Sequence, residues 1–144
     1  MLRIVQDVFM VALNEYGVTE VKGSSHEARV LQYFKDIGHS WVKDDETAWC
    51  AAFWNWCLLR ANRNGSGKLN ARSFLNVGKE VSLNKVRLGD TVVLWRESKD
   101  SWKGHVGGYV KHDKDHVWLI GGNQNNQVNI SKYHINRILS IRRI

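Results

Sequence analysis

The sequence predicts an α+β fold, with helices in its first half and an antiparallel sheet in its second. Three observations carry this reading. Apolar residues recur at three- and four-residue spacing up to about residue 61. From Leu88 onward, short β-branched and aromatic runs alternate with turn residues. The 144 residues contain no internal repeat and no linker long enough to divide them, which suits one domain, helical over about 1–78 and β over about 88–143.

The elements follow in order. Leu2, Val5, Val8, Phe9, Ala12, Leu13 and Tyr16 lie on one helical face, and Gly17 is a natural stop. Ser24 and Glu27 have capping-box spacing for a second helix through Ala28, Leu31, Phe34 and Ile37 to Gly38. A polar, acidic loop covers 39–47. A third helix spans about 49–61 and stops at the Asn- and Gly-rich stretch 62–67. A short helix is expected over 71–77, closed by Gly78. A turn at 88–90 then opens a strand at 91–95. Segments 106–111 and 116–120 flank a turn near Asp113 and Lys114 and form a hairpin. Residues 121–127 read as a loop or bulged strand, and 128–131 and 138–142 as short strands. The chain has no proline, so Gly, Asn, Asp and Ser must make its turns.

Composition narrows the function classes. There are 21 Lys+Arg against 14 Asp+Glu, a net charge of +7, which favours polyanions: nucleic acid, an anionic membrane or a phosphate-rich cell wall. The charge is scattered, with no arginine-rich arm or zinc-finger pattern, so no specific nucleic-acid partner is expected. Arg3, Gln6 and Asp7 interrupt the first apolar stretch, which falls short of the ~18 residues that a membrane span needs. No small-residue cleavage site follows it, so synthesis in the cytoplasm without a signal peptide is expected, with reduced thiols. "GSGK" at 65–68 lacks the strand and spacing of a phosphate-binding loop. His105, His112 and His116 lack a Cys pair or carboxylate at zinc-site spacing. Neither metal nor cofactor is expected, and the protein is expected to act as a monomer.

The stretch "DDETAWCAAFWNWC" at 44–57 holds both cysteines. Seven helical residues separate their Cα atoms by roughly 10 Å, beyond the ~7 Å limit of a disulfide. Cys57 falls mid-helix among Trp54, Leu58 and Ala61 and reads as a core thiol. Cys50 falls in the first turn, where unpartnered N–H groups and the helix dipole favour a thiolate. A reactive thiol and a packed thiol both remain open for it. Asp44, Asp45 and Glu46 oppose a thiolate, unless they cap the helix or bind a cationic part of a substrate.

A thiol nucleophile needs a base, and the base an orienting group. Five of the six histidines, His26, His39, His112, His116 and His134, fall in polar segments or first turns. His105 differs, because it stands at a strand start in "GHVGGYV". Glycine within a strand marks a close approach, here read as an active-site cleft. If the hairpin turn is 113–115, paired positions sum to 228 and His105 faces Asn123. A two-residue turn still leaves Asn123 or Gln124 adjacent. An amide oxygen there can accept from one ring nitrogen and leave the other free.

"ETAWCAAFWNWCL", "ARSFLNVG", "LGDTVVLWR", "GHVGGYV" and "GGNQNNQVNIS", in this order, resemble the CHAP (cysteine, histidine-dependent amidohydrolase/peptidase) and NlpC-type cell-wall hydrolases. The likeness is greatest to small single-domain forms from phage and prophage lysis genes, and it covers about 44–142. It implies a papain-like α+β fold, with N-terminal helices packed on a C-terminal antiparallel β-sheet. It also implies that Cys50 is the nucleophile, His105 the base and Asn123 the third catalytic residue, with Gln124 in reserve. Asp45, Glu46, Trp49, Gly104 and Gln124 flank these positions and are expected to line the site or bind substrate. The implied activity is cleavage of peptidoglycan amide bonds, as amidase or endopeptidase, by an endolysin acting in the periplasm or cell wall. A delivered antibacterial toxin would use the same chemistry. A non-catalytic module binding wall or polyanion is the rival of another class. Trp49 follows Ala48, where relatives often carry a proline before the tryptophan; this touches loop rigidity.

Overall fold

The structure, a computed structural model, describes residues 7–20, 25–42 and 48–144. Three α-helices come first: α1 (Val8–Leu13), α2 (Ser25–Asp36) and α3 (Cys50–Arg60). A 3-10 turn at Ala71–Asn76 leads to the strands β1 (Lys79–Glu80), β2 (Thr91–Trp95), β3 (Gly104–His112), β4 (His116–Gln124), β5 (Gln127–His134) and β6 (Ile138–Arg143). They form one sheet in the order β1-β6-β2-β3-β4-β5, with every neighbouring pair antiparallel. No helix among the described residues is long and apolar enough to cross a membrane.

The centre is α3. Its residues 50–58 are all buried, as expected of a helix that is apolar on nearly every side. It lies between α1 and α2 on one side and β3 and β4 on the other. A stop at 61–62 ends it as expected, with Asn62 at positive φ. Gly17 and Gly78, both at positive φ, close the segments they were expected to close. The capping box at Ser24 lies outside the described residues.

A part-buried ion pair ties the turn after α1 to α2. Glu15 accepts from Arg29 Nε at 2.6 Å and Nη2 at 2.9 Å, and from the Tyr33 hydroxyl at 2.7 Å. Burial alone would raise the Glu15 carboxyl, but these hydrogen bonds outweigh it and hold the group below its usual range.

The glycines of "GHVGGYV" have a different use from the one expected. At Gly108 the close approach is made by the helix, whereas at Gly104 and Gly107 it is made by the carbonyls of Leu94 and Ile120 in the neighbouring strands. A Cβ on Gly108 would overlap the Trp54 ring, and one on Gly122 would lie 2.7 Å from Trp49 and Phe53. Two bare backbone positions thus let α3 settle onto the sheet, where Trp54 Nε1 donates to Thr91 Oγ1 at 2.8 Å. Gly108→Ala should cost about 1–3 kcal/mol through overpacking, read as a lower urea midpoint. An unchanged midpoint would refute this account of the glycine.

The opposite face of the sheet carries a smaller cluster. Val92, Leu94, Val117, Leu119 and Ile141 are buried there, with Tyr109 and Tyr133 packed against them. The short strand β1, which the sequence did not disclose, pairs with β6 at the sheet edge. The strands at 128–131 and 138–142 are longer than expected, because β5 and β6 reach His134 and Arg143. The ambiguous stretch 121–127 resolves into the end of β4, a register shift between Gly121 and Gln124, and a two-residue turn. Asn125 and Asn126 form that turn with φ of 54° and 61°, the geometry of a tight hairpin.

Candidate active site

Cys50 is the first residue of α3, after the N-cap Trp49, whose side chain makes no capping hydrogen bond. The first-turn N–H groups therefore point outward without a side-chain acceptor at the cap. Cys50 is 6% exposed, and its sulfur lies against the backbone N–H groups of Val106 and Ala51. Val106 follows His105, so packing α3 on β3 brings thiol and imidazole segments together. Burial pushes the Cys50 thiol up, while those N–H groups and the charge of Arg96 pull against it. Both cysteines are free. Cys57 is fully buried, and burial drives its thiol far above the ordinary value, as suits a core residue.

His105, the second residue of β3, is 6% exposed. Its Nε2 lies 2.9 Å from Gln124 Oε1. The geometry of Gln124 fixes which group donates. Gln124 Nε2 donates to Asn129 O at 2.8 Å, Asn129 Oδ1 at 2.9 Å and Leu119 O at 3.2 Å. The amide nitrogen is thereby committed to three oxygens, and the amide oxygen must face the ring. Nε2 of His105 then carries the hydrogen and donates it, which leaves Nδ1 as the basic nitrogen. Asn129 is itself held, by a bond from its Nδ2 to Gln124 O at 2.9 Å and one from Ser131 Oγ at 2.6 Å.

The ring's partner is thus Gln124 and not Asn123, the first expectation. The register explains the difference. Gly108 pairs with Ile120 and Tyr109 with Leu119, a sum of 228 as calculated. At the hairpin tip, His112 pairs with Val117, a sum of 229, and a shift at Val110 reconciles the two. Arithmetic alone would therefore place His105 opposite Asn123. But Asn123 has φ of 57°, which inserts an extra residue into β4 and reverses the alternation beyond it. Gln124, 3% exposed, turns inward and takes the ring.

Tyr133 completes the surroundings and has no counterpart among the residues singled out from sequence. The sheet curls so that the end of β5 returns to the start of β3. The Tyr133 hydroxyl lies 3.2 Å from His105 Nε2, and the two rings are 5.2 Å apart. No sequence signal marks this contact, because it depends on curvature and not on local pattern.

The other expected lining residues fare differently. Asp45 and Glu46 lie outside the described residues. Trp49 is fully buried, stacked with Tyr33, and donates from Nε1 to Glu20 Oε1 at 2.6 Å. It supports α3 from inside the core and cannot line an open site, which corrects that expectation. Gly104 is half-buried beside Arg72 and Leu94, one residue before His105. Among the described residues, no group of three His, Cys, Asp or Glu could hold a metal.

Burial lowers the His105 pKa to about 4, against the raising effect of Gln124, and the charges of Arg137 and Arg96 lower it further. The buried ring therefore rests neutral. The unfolded chain, with an ordinary value near 6.5, binds the extra proton first. The contribution to stability is full above pH 6.5 and is lost as pH falls from there to about 4. At ~1.4 kcal/mol per unit, the loss is about 3 kcal/mol. Urea unfolding at pH 7 and pH 4.5 measures it, and His105→Gln should flatten this part of the profile. An equally steep profile in His105→Gln would assign the effect elsewhere.

No family model matches the sequence, and no curated protein matches it. Solved structures do. One is a Staphylococcus aureus protein described as similar to lipoprotein, of the NLP/P60 family, with TM-score 0.55 and 14% identity; the match covers 99% of this chain. The chain spans only 42% of that protein's length. Another is the P60 domain of an antigen from M. avium paratuberculosis, with TM-score 0.56 and 14% identity, covering 97% of this chain and 92% of the domain. At that identity the likeness speaks for the fold alone. The chain has the α+β, papain-like architecture of the NlpC/P60 type.

Proposed function

We propose that this protein is a cysteine hydrolase that cleaves amide bonds of bacterial peptidoglycan, in the manner of a phage or prophage endolysin. One observation carries the reading. His105 donates from Nε2 to an amide whose other end is locked, which leaves Nδ1 as the base, and the backbone N–H of the next residue, Val106, lies against the sulfur of Cys50 at a helix start. A packed, inert thiol requires none of this. Gln124 serves as the orienting group, in the place first given to Asn123.

The chemistry follows from the groups present. Burial disfavours an ion pair at rest, so thiol and imidazole begin neutral. The Cys50 proton moves to His105 Nδ1 as the sulfur attacks the carbonyl carbon of the amide. The carbonyl oxygen becomes an oxyanion, received by the backbone N–H of Cys50 at the head of α3. The C–N bond then breaks, and the imidazolium proton passes to the leaving amine. Water attacks the thioester, gives its proton to Nδ1, and releases the acid with the thiol restored. The net charge of +7 adds long-range attraction to an anionic wall, weakened by salt. The protein acts as a monomer in this reading.

Purified peptidoglycan incubated with the protein should lose turbidity, and mass spectrometry of the soluble fraction should find fragments with new amine and carboxyl ends. Walls that gain no new amine ends would refute the proposal. The masses also identify which amide is cut.

A further inference from the structure

Two arginines whose charges reach the site are not used by the mechanism. Arg137 follows β5 in the link to β6. Its Nε donates to Trp95 O at 3.1 Å, and its guanidinium carbon lies 5.8 Å from the Trp95 ring centre and 5.5 Å from that of Tyr133. Tyr133 in turn touches His105 Nε2. Arg137 is thus one side chain removed from the proposed base, within 6 Å of two aromatic ring centres. Arg96 follows Trp95 at the end of β2, close to where β3 begins, since Trp95 pairs with Gly104.

Other arginines of the sheet spend their donors on the fold. Arg72 donates to the carbonyls of Lys103, Lys99 and Ser98. Arg142 caps the carbonyls of Val77 and Gly78, and Arg143 pairs with Asp90. Arg137 keeps both Nη groups, and Arg96 its whole guanidinium, outside any ion pair among the described residues. Their charges are felt at the reacting groups, Arg96 at Cys50 and both at His105. A guanidinium anchored through Nε, with its Nη edge free, is placed to accept a planar carboxylate.

We propose that Arg137 and Arg96 form a carboxylate subsite beside Cys50 and His105, so that the substrate is a peptide bearing a free carboxylate near the amide that is cut. The inference rests on the hydrolase reading above. It makes amidation of that carboxylate the feature by which the protein distinguishes one wall from another.

The test separates the two claims. A synthetic cross-linked muropeptide, which contains each type of amide found in the wall, is prepared with free carboxylates and with all of them converted to carboxamides. Binding to Cys50→Ala protein is measured by calorimetry, so that no turnover intervenes. The free form should bind at least tenfold more tightly than the amidated form, and Arg96→Gln/Arg137→Gln in the same background should reduce that ratio below threefold. The amidated form should bind both proteins alike. Equal affinity of Cys50→Ala protein for the two forms overturns the subsite, and this result needs no further variant to fold. So does a tenfold preference that survives in the double variant. Cleavage by wild-type protein is scored apart: failure to cut either peptide refutes the hydrolase reading, whereas the affinity ratio alone decides the subsite.

Discussion

Cys50→Ala should reduce peptidoglycan hydrolysis by about 10³-fold or more, to the background of the uncatalysed reaction, because no second nucleophile can replace the sulfur. Cys57 cannot substitute. It is fully buried, and its thiol is held far above the ordinary range by burial. The fold should survive, since Cys50 contributes one small side chain at a helix start, and a change of about 1 kcal/mol is expected. Circular dichroism and a urea titration check that point. Thiol labelling supplies an independent readout. Native wild-type protein should take one equivalent of a small alkylating reagent at Cys50 and lose activity in step. The Cys50→Ala protein should take none until it is unfolded. Activity persisting in Cys50→Ala, or labelling without inactivation, would count against the nucleophile.

The second large effect separates two neighbours in sequence. Gln124→Leu keeps the approximate volume but leaves the His105 Nε2–H, Leu119 O and Asn129 O without this partner. An unsatisfied buried group costs about 1–3 kcal/mol. If that loss falls on the transition state, the rate drops roughly 5- to 150-fold. The fall should be in kcat, because Gln124 is buried and meets the base, not the substrate. Asn123→Gly should behave oppositely. Its backbone already sits at φ of 57°, where glycine carries no penalty, so activity should stay within about twofold of wild type. Steady-state kinetics on the two variants settles the ranking, and a larger loss at Asn123 would reverse the assignment. Nitrogen NMR of the imidazole gives a check without turnover: the hydrogen should reside on Nε2 in the wild type, and the preference should weaken in Gln124→Leu.

This pair also marks how far the sequence could be read. The helix that carries Cys50 was legible because its stop lies in a glycine- and asparagine-rich turn and its interior is apolar. The strand at 91–95 and the middle of β3, read as 106–111, were legible from β-branched runs and a turn. Hairpin arithmetic brought an amide to the imidazole from sequence numbers alone. It failed by one residue because register counting assumes an unbroken ladder, and a left-handed residue at 123 breaks it. Asparagine permits that conformation without requiring it, so nothing local distinguishes the bulge from a plain strand. Trp49 was misjudged for a related reason. A tryptophan beside a nucleophile reads as a wall of the site, whereas its burial follows from the bare surface that Gly122 offers. Tyr133 and the paired arginines lay beyond sequence reasoning altogether, because closure of the curled sheet brings β5, the link after it and the end of β2 to one place.

The glycine seat beneath α3 has one more consequence. Cys50 and His105 belong to different layers, and the fit of Trp54 over Gly108 sets their alignment. Competence is therefore a property of the interlayer packing, not of either element. Heating or mild acid that loosened the layers while sparing helix and strand should abolish the proposed hydrolysis at once. Its far-ultraviolet dichroism would barely change. The emission of the two indoles at this seam, Trp49 and Trp54, should shift red in parallel with the lost turnover. The protein thus carries a built-in optical gauge of its own catalytic alignment.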